Sequence, residues 1–254
     1  MPTGKNCSRR DEHDKRYDRA NNSSQAKFTG FLLSALTPQR AVQQIAAEFF
    51  GTALLLAIVV GSGIMGETLA GGNAAVALLG NSIATGAGLY VLITVLGPIS
   101  GAHFNPAVSL TFWRTGELSA ALLAAYAVAQ VCGGVIGVWI THLMFDLPLM
   151  QYSSKVRSGV PQWISECLAT GVLLATIHLG LRNAAERVPL LVALIVTAGY
   201  WFTASTFFAN PAVTIARSFS NTFAGIQPAD VAGFILMQLA ATAIACTLLR
   251  SRRS

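Results

Sequence analysis

Ser100-Gly101-Ala102-His103-Phe104-Asn105-Pro106-Ala107-Val108-Ser109-Leu110 lies inside a long apolar stretch. A related segment, Phe208-Ala209-Asn210-Pro211-Ala212-Val213-Thr214-Ile215, returns in the second half of the chain. Proline suits the first turn of a helix, because the N–H it lacks would have no partner there. The Asn in front of it is a good N-cap. Each Asn-Pro-Ala therefore reads as a loop that starts a short helix at membrane depth. The small and polar runs ahead of them, Gly97-Pro98-Ile99-Ser100-Gly101-Ala102 and Thr203-Ala204-Ser205-Thr206, read as the loops. Two broken helices in corresponding halves of a membrane protein point to a solute path.

The surrounding composition supports the membrane reading: 53% hydrophobic residues, 11% charged and a mean hydropathy of +0.56. Apolar segments of about 20 residues cross a bilayer. Six are predicted, at about 41–63, 74–96, 119–143, 161–181, 188–206 and 228–249. The short helices after Asn105 and Asn210 fall between the second and third spans and between the fifth and sixth. Of 17 Lys and Arg, seven precede residue 28, and Arg40, Arg114, Arg182, Arg187, Arg250, Arg252 and Arg253 fall on the same side. Lys155 and Arg157 fall on the other, with Arg217 in the second short helix. By the positive-inside rule both termini are expected in the cytoplasm. The net charge of +6 is then a topology signal. No basic surface interleaved with aromatics suggests nucleic acid as a partner.

Residues 1–39 are polar, mixed in charge and aperiodic, and are expected to be a disordered cytoplasmic tail. Phe28 and Phe31-Leu32-Leu33 are too few and too late for a signal peptide. Asn21 and Asn22 begin glycosylation sequons that a cytoplasmic tail would not expose to the machinery. Cys7, Cys132, Cys167 and Cys246 have no metal-ligand spacing, and the three within spans read as buried small apolar residues.

The chain also repeats internally. Glu48, in Ala47-Glu48-Phe49-Phe50-Gly51-Thr52, and Glu166, in Ser165-Glu166-Cys167-Leu168-Ala169-Thr170-Gly171, sit within the first and fourth predicted spans. Each half then runs acidic span, second span, broken loop, third span. Three spans per half put the halves in opposite orientations, an inverted 3+3 repeat. An intramembrane carboxylate is functional by default. Two readings compete: proton or cation couplers, or acceptors for loop N–H groups that need internal partners at that depth. One glutamate per broken loop favours the second, which makes both structural braces. Gly133-xxx-Gly137 and Gly86-x-Gly88 let backbones approach, within one chain or between copies. His103, His142 and His178 are scattered, and no Ser/His/Asp or Cys/His set suggests an enzyme. No metal site or cofactor is expected.

The doubled Asn-Pro-Ala, the Ser100-Gly101-Ala102-His103-Phe104 lead-in and the glutamate-bearing first and fourth spans resemble the aquaporin and aquaglyceroporin (major intrinsic protein) family over about residues 41–249. The resemblance implies an all-α membrane protein with six transmembrane helices and two re-entrant half-helices meeting at mid-bilayer. It also implies a homotetramer with one pore per protomer. The channel domain would run over 40–253, with halves of about 40–145 and 160–250. The half-helix N-termini, each with roughly half a positive charge, would oppose cations. The Asn105 and Asn210 amides would donate to a passing oxygen.

The family places a second constriction outward of the motifs. Counted from them, its four positions fall on Thr85, Ala198, Phe207 and Val213. Ala198 and Phe207 look glycerol-type, Thr85 replaces a large aromatic, and Val213 stands where the family nearly always has Arg. Without that guanidinium the ring is expected to be wide and apolar. The alternative is that Arg217, one helical turn on and on the same face, reaches back as a filter modulator, since helical side chains lean toward the helix N-terminus. A bacterial branch linked to arsenical resistance looks similar in having Val here. The resemblance implies a passive channel for glycerol-like polyols, water and neutral metalloid hydroxides such as arsenous acid, in a bacterial inner membrane. Other readings are a water or glycerol pore without a metalloid role, a proton-coupled transporter using Glu48 and Glu166, and a junctional protein with a vestigial pore.

Overall fold

Short polar side chains begin the helices. Asn73 Oδ1 accepts from Ala75 N at 3.1 Å and Val76 N at 3.3 Å, and Ser119 Oγ accepts from Leu122 N at 3.2 Å. Proline occupies the opening positions of the six others. In this computed structural model residues 38–250 are described. The tail read over 1–39, with its sequons, its Phe31-Leu32-Leu33 run and Cys7, lies outside them, except that Pro38 and Gln39 already open a helix.

The helices are α1 (Pro38–Leu69), α2 (Ala74–Ser100), α3 (Pro106–Arg114), α4 (Ala120–Met144), α5 (Val160–Asn183), α6 (Val188–Phe202), α7 (Pro211–Arg217) and α8 (Pro228–Arg250), with one 3-10 turn at Ala185–Arg187. The chain divides after Gln43. Of the first unit only the opening of α1 is described; everything below concerns residues 44–250. Six helices are long and apolar enough to cross a membrane: α1, α2, α4, α5, α6 with its preceding turn, and α8. The helices α3 and α7, at 9 and 7 residues, are not. The protein is an all-α membrane protein with six transmembrane helices and two re-entrant half-helices in an inverted 3+3 repeat.

The repeat is visible in the packing. The half-helix α3 lies against α4 and α8, and α7 lies against α8 and α4. Across the centre α2 packs on α6. Close approach is set by glycine. A Cβ at Gly133 would stand 2.2 Å from Phe49 O, and one at Gly137 would stand 2.1 Å from Ala53 O. The Gly133-xxx-Gly137 face thus seats α4 on the α1 backbone within one chain. Gly86 meets Thr197 on α6 in the same way. Large apolar side chains such as Phe50, Val95, Leu168 and Leu236 face outward, as a lipid solvent permits.

Two boundaries differ from the sequence reading. The helix α2 runs through Pro98 to Ser100, where a loop was expected, and stops at Gly101, whose φ is +90°. Staying helical keeps more backbone groups paired in a medium without water. Cys132 is exposed and Cys167 half-buried, not buried as read; of the described cysteines only Cys246 is buried.

Candidate solute pore

Each re-entrant loop is pinned by one carboxylate. Glu48, fully buried, accepts from His103 N at 2.9 Å and Ser100 Oγ at 2.6 Å on one oxygen. Its other oxygen accepts from Phe104 N at 2.6 Å and Gln130 Nε2 at 2.8 Å. Glu166 accepts from Phe208 N at 3.1 Å, Ala209 N at 2.9 Å and Gln238 Nε2 at 2.6 Å. The two glutamines were missed by sequence reading, yet they are part of the repeat. Gln130 also donates to Ser109 Oγ and Gln238 to Thr214 Oγ1, each acceptor lying four residues past its Asn. The loops share their strain as well. The residues one and three before each Asn have positive φ: Phe104 at 48° and Ala102 at 49°, Ala209 at 49° and Phe207 at 56°. Such conformations cost non-glycine residues free energy, and the N–H bonds to Glu48 and Glu166 help hold them.

The loops meet tip to tip. Asn105 Oδ1 caps α3 through Ala107 N at 2.9 Å, and Asn210 Oδ1 caps α7 through Ala212 N at 3.0 Å. Asn105 Nδ2 donates to Ala209 O, and Asn210 Nδ2 to Phe104 O, both at 2.8 Å. An amide nitrogen carries two hydrogens, so each keeps one for a solute. Both Asn line a cavity of about 220 Å³ walled largely by aliphatic side chains, among them Leu55, Val59, Leu89, Val192 and Val196. That is several times the ~30 Å³ share of one water.

Of the four constriction positions, Thr85, Phe207 and Val213 line this cavity. Ala198 does not: it is exposed on the outer face of α6. The wall on α6 is Val188, Val192, Val196 and Tyr200, in steps of four. Residue 198 is two positions from both Val196 and Tyr200, about 200° around the helix. The count from the motifs therefore lands on the face of α6 turned away from the cavity. In place of a small residue the cavity meets Tyr200, whose hydroxyl lies 3.1 Å from Thr85 Oγ1. Gly199 gives Phe207 its room, since a Cβ there would stand 2.1 Å from the ring.

Arg217 is the second departure from an apolar ring. It is 2% exposed and lies on the cavity wall. Its guanidinium carbon is 3.5 Å from the Phe208 ring centroid, and its Nε donates to Ala224 O. A further arginine, Arg157, comes from the connection between the halves. It is 8% exposed, and its guanidinium carbon is 5.0 Å from the same ring centroid. Arg157 Nε donates to Gly225 O at 2.8 Å, and Nη1 lies 3.4 Å from both Ser205 O and Thr206 Oγ1. Burial holds this guanidinium down at about 10, and it stays charged at neutral pH. Only the packed structure could have revealed this placement, because residue 157 belongs to neither repeat.

Of the remaining polar rings, His103 lines the cavity while His142 and His178 do not. His103 stacks on Phe112 at 4.5 Å, with Nδ1 3.0 Å from Ser109 Oγ. His178 Nε2 is 2.9 Å from Thr111 Oγ1, and His142 bridges Leu149 O and Ser220 Oγ. Among the described residues no three His, Cys, Asp or Glu gather to hold a metal.

Residues 35–198 match the family described as Major intrinsic protein. The chain is 56% identical over 204 residues to Aquaglyceroporin AqpS of Rhizobium meliloti (strain 1021), covering 80% of this chain and 87% of that protein. It is 31% identical over 138 residues to Aquaporin NIP1-1 of Zea mays, covering 54% of this chain and 48% of that one. Its fold is similar to the X-ray structure of the aquaglyceroporin from Plasmodium falciparum. There the TM-score is 0.66 at 18% identity, over 82% of this chain and 94% of the other.

Proposed function

From a chain that belongs to the major intrinsic protein family, we propose a passive pore for glycerol-like polyols and water, with neutral metalloid hydroxides such as arsenous acid among its solutes. As a member of a channel family it is a membrane channel and not an enzyme. The observation that carries the reading is one cavity with both Asn amides on a largely apolar wall that also holds Thr85, Tyr200 and Arg217. Aliphatic walls bind a polyol weakly enough to release it, and a few fixed donors replace part of its hydration. The half-helix N-termini that converge there oppose cations. Arsenous acid is a neutral trihydroxy molecule at neutral pH, close to glycerol in size and donor pattern. The resemblance in Val213 and this likeness to glycerol support including it.

The outer ring is then Thr85, Phe207 and Val213, with Tyr200 in the place assigned to Ala198 and Arg217 in that of the missing guanidinium. The pore motifs are Asn105-Pro106-Ala107 and Asn210-Pro211-Ala212, with Glu48 and Glu166 as braces. Among the described residues lining the cavity neither glutamate is found, which weighs against a coupling role. The channel domain over 40–253 would assemble as a homotetramer in a bacterial inner membrane, with both termini cytoplasmic by charge bias. Stopped-flow swelling of proteoliposomes with water, glycerol and arsenite side by side tests the reading. Flux of glycerol and arsenite above that of empty vesicles is expected. Water flux without either solute would overturn the wide-solute part of it.

A further inference from the structure

The cation missing at Val213 is present twice nearby, and one source lies outside both repeats. We propose that Arg157, on the connection between α4 and α5, is a specificity-determining positioning residue of the pore. It fixes the loop wall at Ser205–Phe208 and, together with Arg217, supplies the positive charge that bars cations. The inference rests on reading the chain as a channel for neutral solutes.

The connection is built to deliver this side chain. Ser153 N donates to Ser218 O at 3.0 Å, Gln227 N to Lys155 O at 2.8 Å, and Arg157 N to Asp230 Oδ2 at 2.7 Å. These bonds lace residues 153–157 along the chain that follows α7. Gly225 lets them approach: a Cβ there would stand 2.2 Å from Ser153 Oγ and 2.4 Å from Ser220 O. The guanidinium then spans from Gly225 O to Ser205 O and reaches the Phe208 ring. Phe208 itself lines the cavity, and Glu166 holds its N–H. Arg157 therefore touches the pore wall from behind, through one ring and one carbonyl.

Charge, and not only donors, is what the site retains. Among the described residues neither Arg157 nor Arg217 meets a carboxylate at ion-pair distance. Both sense Glu166, but its oxygens are occupied by Phe208 N, Ala209 N and Gln238. Two buried like charges near one ring are costly. A neutral donor would satisfy Ser205 O and Gly225 O without that cost. Positive charge in a poorly hydrated wall repels a passing cation strongly and a neutral polyol little.

The test uses the full chain in proteoliposomes, reading glycerol swelling and, separately, sodium and proton leak. Arg157→Gln keeps donors and removes charge; it should raise cation leak about tenfold or more while glycerol flux stays within about threefold. Arg157→Lys restores the charge and should bring the leak back toward wild type. A folded Arg157→Gln protein with wild-type leak overturns the proposal, as does an Arg157→Lys protein that leaks as much as Arg157→Gln. Should Arg157→Gln not fold, Phe208→Leu removes the ring that both guanidiniums share; unchanged leak there also overturns it. Wild-type protein without glycerol flux would instead defeat the channel reading on which the proposal stands.

Discussion

Val213 and Arg217 lie one helical turn apart on α7, and the difference between them decides what the outer ring excludes. With Arg217 already on the cavity wall, Arg217→Ala should widen the path and raise glycerol and arsenite flux several-fold more than water flux. Val213→Arg would bring a second guanidinium into a cavity of about 220 Å³ and should depress the flux of all three or lower the yield of folded protein. Swelling assays on both variants check this. If Val213→Arg cuts arsenite flux selectively while Arg217→Ala changes nothing, the open-ring expectation returns. Lys155 offers a pH test. Partial desolvation, with Arg157 and Arg217 nearby, holds the ammonium of this surface residue down at about 8, against the pull of Glu67. In the unfolded chain a Lys keeps its proton to about pH 10.4. Between those values the unfolded state holds more protons, so stability should rise with pH across that window. Lys155→Gln should flatten the rise in thermal melts of the detergent-solubilised protein. The positions hardest to read from sequence were of this kind. Ala198 was reached by counting and Tyr200 was not, because a count does not show which face of α6 meets the cavity. Arg157 carries no motif at all.

Elements were more legible, since each is announced by local chemistry. Asn-Pro fixes where α3 and α7 begin, and one glutamate per half marks what holds the loop ahead of each. The glutamines on α4 and α8 were not legible, because a lone Gln in an apolar span has no pattern until its partner is known. The brace arrangement predicts graded effects. Glu166→Ala leaves Phe208 N and Ala209 N unpaired, at about 1–3 kcal/mol each, and should sharply reduce folded protein in size-exclusion profiles. Glu166→Gln keeps an acceptor and should be much milder, with flux through the surviving protein retained. A normally folded Glu166→Gln protein with no flux would favour a coupling role. The contact of α4 with α1 is stricter still. Gly133→Ala would put a methyl 2.2 Å from Phe49 O, against a backbone that cannot yield as a side chain can. It should lower the melting temperature more than Gly171→Ala, whose Cβ meets nothing within 4 Å.

For the molecule as a whole, six apolar spans, two interrupted helices and a repeated acidic span allow few architectures. A bilayer accepts irregular backbone only where protein or a cavity satisfies it, so broken helices in both halves have to meet inside the bundle. The fold was legible because that rule is strict; the width and charge of the path were not, because they depend on side chains from six helices and both loops converging on one cavity. The same geometry bears on how solutes cross. A coupled transporter needs its titrating groups in reach of the solute and an alternation between two packings. Here Glu48 and Glu166 are spent on loop N–H groups and glutamine amides, and glycine contacts lock α4 onto α1. Uptake of glycerol and arsenite should therefore follow their own gradients alone. In vesicles with an imposed proton or sodium gradient, the initial rate should match that without one, and transport should cease when the solute is equal on both sides. Accumulation above the outside concentration, driven by either ion gradient and abolished by collapsing it, would mean that the glutamates move charge after all.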